Sequence, residues 1–153
     1  MKIYSLKQDI TIDAPLEEVW AFFSDPYNLA KISPGYMDFR IVHCPETAEI
    51  YDGMLIEYRI KPVLGVPLRW VTLIKKVKPG ACFMDTQVAG PYTLWEHTHT
   101  FRETGTGTYM QDEVRYALPL GVLGRLAHKL FVKRQLKGIF DYRERVIHNL
   151  FHP

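Results

Sequence analysis

Polar and apolar residues alternate through the opening of the chain. Tyr4, Leu6, Gln8, Ile10 and Ile12 share one face, and Ser5, Lys7, Asp9 and Thr11 share the other. A period of two with one polar face predicts a half-buried strand. Asp13 then offers an N-cap, Pro15 suits a first helical turn, and Glu17 and Glu18 suit its positive end. Val19, Phe22 and Phe23 form the apolar stripe of a short helix stopping near Asp25-Pro26. A second short helix through Leu29 and Ile32 ends before Pro34-Gly35.

From residue 38 to 118 the alternation returns, broken by turn signals. MLIEYRIK places Met54, Ile56, Tyr58 and Ile60 on one side, and LRWVTLIKKV is read with Trp70, Thr72 and Ile74 inward. Lys78-Pro79-Gly80 turns the chain, Cys82 to Val88 returns, and Gly90-Pro91 turns it again. Two more strands, LWEHTHTF and TYMQDEVRYAL, join through Glu103-Thr104-Gly105-Thr106-Gly107. After Pro119 the period becomes helical, with Leu136, Ile139, Phe140, Arg143, Val146, Ile147 and Leu150 on one stripe. Strand, two short helices, about six antiparallel strands and a long C-terminal helix define an α+β fold.

Length changes this picture little: 153 residues suit one domain, residues 1–153, burying about two-thirds of its unfolded surface. The aromatic content, 13%, indicates either a large apolar core or a cavity lined with rings. A net charge of +2 gives no electrostatic case for nucleic acid. Cys44 and Cys82 make neither a disulfide scaffold nor a zinc-type pair. MKIYSLKQDITID contains no apolar run of the signal-peptide kind, and no apolar stretch reaches membrane-spanning length, so the expectation is a cytoplasmic protein.

The element order is carried by particular residues: IDAPLEEVWAFFSDPYNLAKISP, GPYTLWEHTHTF, MQDEVRYALPLG and FDYRERVI. With these the chain resembles the START-like superfamily, also called SRPBCC, over nearly its whole length. The superfamily includes lipid-transfer domains, pollen allergens, aromatic polyketide cyclases and coenzyme Q-binding proteins. The resemblance implies a helix-grip fold, in which a curved antiparallel sheet of about seven strands grips the C-terminal helix. An apolar cavity then lies between them, and the two short helices close one end.

Strand alternation puts Trp95, His97, His99 and Phe101 on one face of LWEHTHTF and sends Glu96 to the other. In the next strand Met110, Asp112, Val114 and Tyr116 share a face, so Asp112 falls opposite His97 or His99. In the preceding strand the resemblance favours Phe83, Asp85 and Gln87 inward. The expected inner wall therefore holds Asp85, Gln87, His97, His99 and Asp112, with Tyr58, Trp70, Thr72, Trp95 and Tyr116 nearby. Arg143 interrupts the apolar helix stripe, either to pair with one of these aspartates or to snorkel out at the helix end.

Three readings of this cluster compete: a self-satisfied polar patch, the polar end of a ligand pocket, and metal or acid–base chemistry. His-x-His with an inward Asp is a usable metal triad. GPYTLWEHTHTFRE also approaches the first cupin motif, but six residues rather than five separate Gly90 from His97, and no second-motif histidine follows. There is no nucleophile elbow, phosphate loop or CxxC pair, so no cofactor is expected. The leading reading is a binder of a hydrophobic small molecule: a lipid, quinone, polyketide or aromatic. The alternative is a cyclase or dehydratase that moves protons through a His97/His99–Asp112 pair.

Residues 119–153 carry seven Lys and Arg against Asp141 and Glu144. GVLGRLAHKLFVKRQLKG could rest transiently on anionic membranes. The plainer expectation is that its apolar face covers the sheet and its charges form the solvated back.

Overall fold

The computed structural model describes residues 1–46, 49–61 and 66–151. Seven strands form one antiparallel sheet: β1 (Tyr4–Ile12), β2 (Arg40–His43), β3 (Leu55–Ile60), β4 (Leu68–Lys78), β5 (Cys82–Ala89), β6 (Leu94–Thr104) and β7 (Gly107–Ala117). Their order across the sheet is β1-β7-β6-β5-β4-β3-β2, so β1 closes beside the last strand. The sheet curves around a long C-terminal helix, the helix-grip arrangement. Ile12, Ile56 and Met110 from the sheet, Met54 just before β3 and Ile147 from the helix are completely or almost completely buried. Each such side chain contributes about 1.5–3 kcal/mol by leaving water.

Helix α1 spans Leu16–Phe23, and its N-cap is Pro15 rather than Asp13. The carbonyl of Pro15 accepts from the backbone N–H groups of Glu18 and Val19. Proline's fixed φ of −60° with an extended ψ of 148° places it just outside the helix instead of inside the first turn. The second short helix, Pro26–Ile32, is 3₁₀, and the Asp25 carboxylate caps it by accepting from the Tyr27 N–H. Trp70, Thr72 and Ile74 do face inward on β4.

The C-terminal helix comprises α2 (Gly121–Ala127), a π turn (His128–Val132) and α3 (Lys133–Phe151). Along it Gly124, His128, Leu136 and Phe140 are buried and Val132 is half-buried. A spacing of four exceeds the α-helical 3.6, so these positions would drift around a regular helix. The wider π turn absorbs that drift and keeps the series against the sheet. Two expectations fail here. Leu150 is 46% exposed, and Phe151 instead packs against Phe22 with ring centroids 5.6 Å apart. The apolar residues of α2 and the π turn do not cover the sheet: Val122, Leu123, Leu126, Leu130 and Phe131 are all exposed. Gly124 and His128 occupy the inner face there. A Cβ on Gly124 would meet the Pro119 carbonyl oxygen at 2.0 Å, so only glycine permits this approach.

Candidate functional site

His97 and His99 are two residues apart on β6 and so project to the same, concave face. The pairing register sets Asp85 of β5 opposite His97, Phe83 opposite His99, and Asp112 of β7 opposite His99 on its other side. The two imidazoles stack with centroids 3.8 Å apart, and Phe83 stacks on the far side of His99 at 4.1 Å. Glu96 points to the outer face, where its carboxylate accepts from Arg115 at 3.0 Å.

Two carboxylates flank the stacked pair. His99 Nε2 lies 2.7 Å from Asp85 Oδ2, a hydrogen-bond distance. Asp112 Oδ1 lies 3.0 Å from His99 Nδ1 and 3.2 Å from His97 Nε2. Those last two approaches are close polar contacts rather than aligned hydrogen bonds, because none of the three atoms gains a hydrogen-bond partner. Arg143 enters from α3; it is buried, lies over the Phe140 ring at 4.8 Å, and its Nε also lacks a partner.

Burial opposes charge on every member of this group, and the neighbours decide which members stay charged. For His99, burial is outweighed by contact with Asp112 and Asp85, and its pKa rises to about 9. For His97, burial and the adjacent His99 win over the two carboxylates, and its pKa falls. Against their own burial, Asp85 and Asp112 are held below the usual carboxylate range by the histidines. The group therefore balances at neutral pH: Asp85 and Asp112 negative, His99 and Arg143 positive, His97 neutral. Two imidazoles in stacking contact share one added proton, so they titrate as a unit.

Beside this group lies a cavity of about 160 Å³ between the sheet and α3. Tyr58, Trp70, Thr72, Asp85, Trp95, His97, His99 and Arg143 all line it. Three other residues singled out in the sequence stand behind it. Gln87 braces the 90–93 turn, donating to the Tyr92 carbonyl at 2.7 Å and accepting from its N–H at 3.0 Å. Asp112 is buried beneath the histidines. The Tyr116 hydroxyl bonds His128 Nε2 at 2.7 Å. Tyr92 is a site residue that sequence reasoning misses, because it follows a Gly-Pro turn. Its ring lines the cavity between Trp70 and Trp95, with centroids 5.6 and 4.9 Å away. An aromatic placed directly after a turn signal is the one cue to it.

His97, His99 and Asp85 can each offer a donor atom within 4.8 Å of the others, a geometry able to hold a metal ion. An ion there would have to displace the proton that His99 shares with Asp85. The same group without an ion can hold and hand over a proton, or orient a ligand oxygen.

A curved sheet gripping a long C-terminal helix, with an apolar cavity between them, defines the helix-grip class. Residues 4–148 match the family described as polyketide cyclase/dehydrase and lipid transport, and the chain belongs to that family. Among solved structures it is similar to protein CV1439 from Chromobacterium violaceum, with 14% identity, a TM-score of 0.74, and 98% of this chain and 99% of that one covered. The KanY protein gives 15% identity and a TM-score of 0.73, with both chains fully covered. TTHA0849 from Thermus thermophilus gives 16% identity and a TM-score of 0.64, over 97% of this chain and 99% of that one. At such identities the likeness is one of fold. No curated protein matches the sequence. No helix among the described residues is long and apolar enough to cross a membrane.

Proposed function

We propose that the chain is a single-domain binder of a compact hydrophobic small molecule held between the sheet and α3. Tyr58, Trp70, Tyr92 and Trp95 supply apolar wall, and Thr72, Asp85, His97, His99 and Arg143 receive the polar end of the ligand. Asp112 holds His99, while Gln87 and Tyr116 hold the aromatic end in place. The observation that carries this reading is the unpartnered Arg143 Nε, buried in the lining of an otherwise mostly apolar cavity. Leaving such a donor unpaired costs about 1–3 kcal/mol, which a ligand carbonyl, phenolate or carboxylate oxygen would offset. A cavity of about 150 Å³ accepts a single aromatic ring, so a polyketide, quinone or lipid of greater size requires the walls to move. We assign the protein to the cytoplasm, where the free thiols of Cys44 and Cys82 remain reduced.

The test titrates benzoate, a single-ring aromatic anion, into the purified chain by calorimetry, together with native mass spectrometry. A heat of binding is expected, and Ile139→Phe, which places a ring in the lining, should weaken the affinity about tenfold. Equal affinity in that variant counts against the cavity as the site. A co-purified adduct would identify the natural ligand directly.

A second reading rests on the opposed basicities of the stacked histidines. A neutral His97 beside a protonated His99 is a base and an acid in one place, suited to cyclisation or dehydration of a polyketide-like substrate. On this reading His97→Gln abolishes turnover of such a substrate while benzoate binding persists. Unchanged rates reject it.

A further inference from the structure

The start of the C-terminal helix presents its apolar side to the outside. Gly124 and His128 face the sheet, and Val122, Leu126 and Leu130 each lie two residues from one of them. At 3.6 residues per turn, two positions are about 200° around the helix. The apolar stripe thus points directly away from the body of the protein. Val122 is 70% exposed, Leu123 67% and Phe131 65%, and Leu120 before them is 75% exposed. Single exposed leucines need no explanation, but a contiguous stripe of them marks an interaction surface.

Charge selects the occupant. Arg125, Lys129, Lys133 and Arg134 flank the stripe and are all exposed. No Asp or Glu occurs from Val114 to Phe140. Among the described residues no carboxylate pairs with any of these four cations. In a symmetric dimer through this face each basic residue would meet the basic face of its partner, which repels. An anionic bilayer instead satisfies both features at once: headgroups take the cations, and the headgroup–acyl boundary takes Val122, Leu123, Leu126, Leu130 and Phe131.

We propose that α2 and the following π turn, Leu120 to Phe131, form a docking surface for membranes rich in anionic phospholipid. The helix lies along the interface and does not span it. On its inner side His128 bonds Tyr116, whose ring lies 5.9 Å from that of Tyr92 in the cavity wall. The docking helix is therefore in continuous packing contact with the aromatic end of the cavity.

The experiment is co-sedimentation of the full chain with vesicles of equal parts phosphatidylcholine and phosphatidylglycerol, against vesicles of phosphatidylcholine alone. The chain should pellet with the anionic vesicles at low salt, dissociate as salt rises, and stay in solution with the neutral ones. Lys129→Glu and Lys133→Glu should each lower the partition coefficient by about fivefold or more. Leu126→Asn with Leu130→Asn should abolish pelleting, while near-UV circular dichroism confirms an unchanged fold at these exposed positions. Absence of pelleting at low salt, or equal pelleting of parent and variants, overturns the proposal. So does a concentration-dependent dimer that the leucine variant disrupts in a chain that never pellets.

Discussion

His99 and His128 are both buried, both lie 2.7 Å from a hydrogen-bonding oxygen, and both stack on an aromatic ring. Their basicities nevertheless move in opposite directions. For His128, burial lowers the pKa and Lys133 and Lys2 lower it further, because its bonding partner is the neutral Tyr116 hydroxyl. For His99 the partners are two carboxylates, which overcome a deeper burial than that of His128 and raise the pKa to about 9. The sign of the partner's charge, not burial, decides which histidine is an ion. It also separates two roles: a charged group at a cavity, and a neutral brace under an outward-facing helix.

The largest break in this contrast is Asp112→Asn. It removes one of two negative charges from a balanced buried group, and should cost about 3–5 kcal/mol in urea unfolding. The His99 pKa should fall with it, read by NMR of the imidazole carbons.

Next in size is an alkaline loss of stability. The folded pKa of His99 lies above its ordinary 6.5, so its contribution is complete below 6.5 and disappears as pH rises through about 9. The amount is on the order of 3 kcal/mol, shared across the coupled group. Urea titrations over that window should show the decline in the parent and a flatter profile in His99→Gln. His97 works in the other direction. Its depressed pKa gives stability that is present above 6.5 and lost as pH falls below it.

His128→Phe keeps the stack on Tyr4 but leaves the Tyr116 hydroxyl without its partner, an expected loss of about 1–2 kcal/mol. Unlike His99→Gln, it should leave the alkaline slope intact; a flattened slope would mean the two histidines are coupled. The smallest effect belongs to Arg115→Ala. Its pair with Glu96 lies on the solvated outer face, with side chains 47% and 30% exposed, and should be worth less than about 1 kcal/mol. A larger loss would show that the outer face contributes as the inner one does.

Much of this was legible in the residue order because strand alternation is binary. Once Trp95 and Phe101 face the core, His97 and His99 must face it too and Glu96 cannot. The same logic places Asp112 inside, and pairing then sets it opposite His99. Alternation says nothing about reach along that face. Gln87 has inward parity yet turns back to brace its own loop, and Tyr116 is drawn to His128 on the helix. Tyr92 belongs to no period at all, so no pattern could nominate it.

The helix start departs from expectation for a related reason. Its sequence is amphipathic, and an amphipathic helix is ordinarily expected to bury its apolar side. Hydrophobic periodicity establishes that such a side exists, but not which way it faces. Here the close approach at Gly124 and the His128–Tyr116 bond fix the helix rotation, and the apolar side is left outside.

Local period and parity established the element order and the inward placement of His97, His99 and Asp112, whereas the helix-grip class and the inward set of β5, with Asp85, came from resemblance to a known superfamily. Only the tertiary structure decided the protonation of these residues and the size of the space beside them. It alone decided, too, the outward turn of Leu126 and Leu130. Those properties depend on distances between residues remote in the chain, which no local pattern encodes.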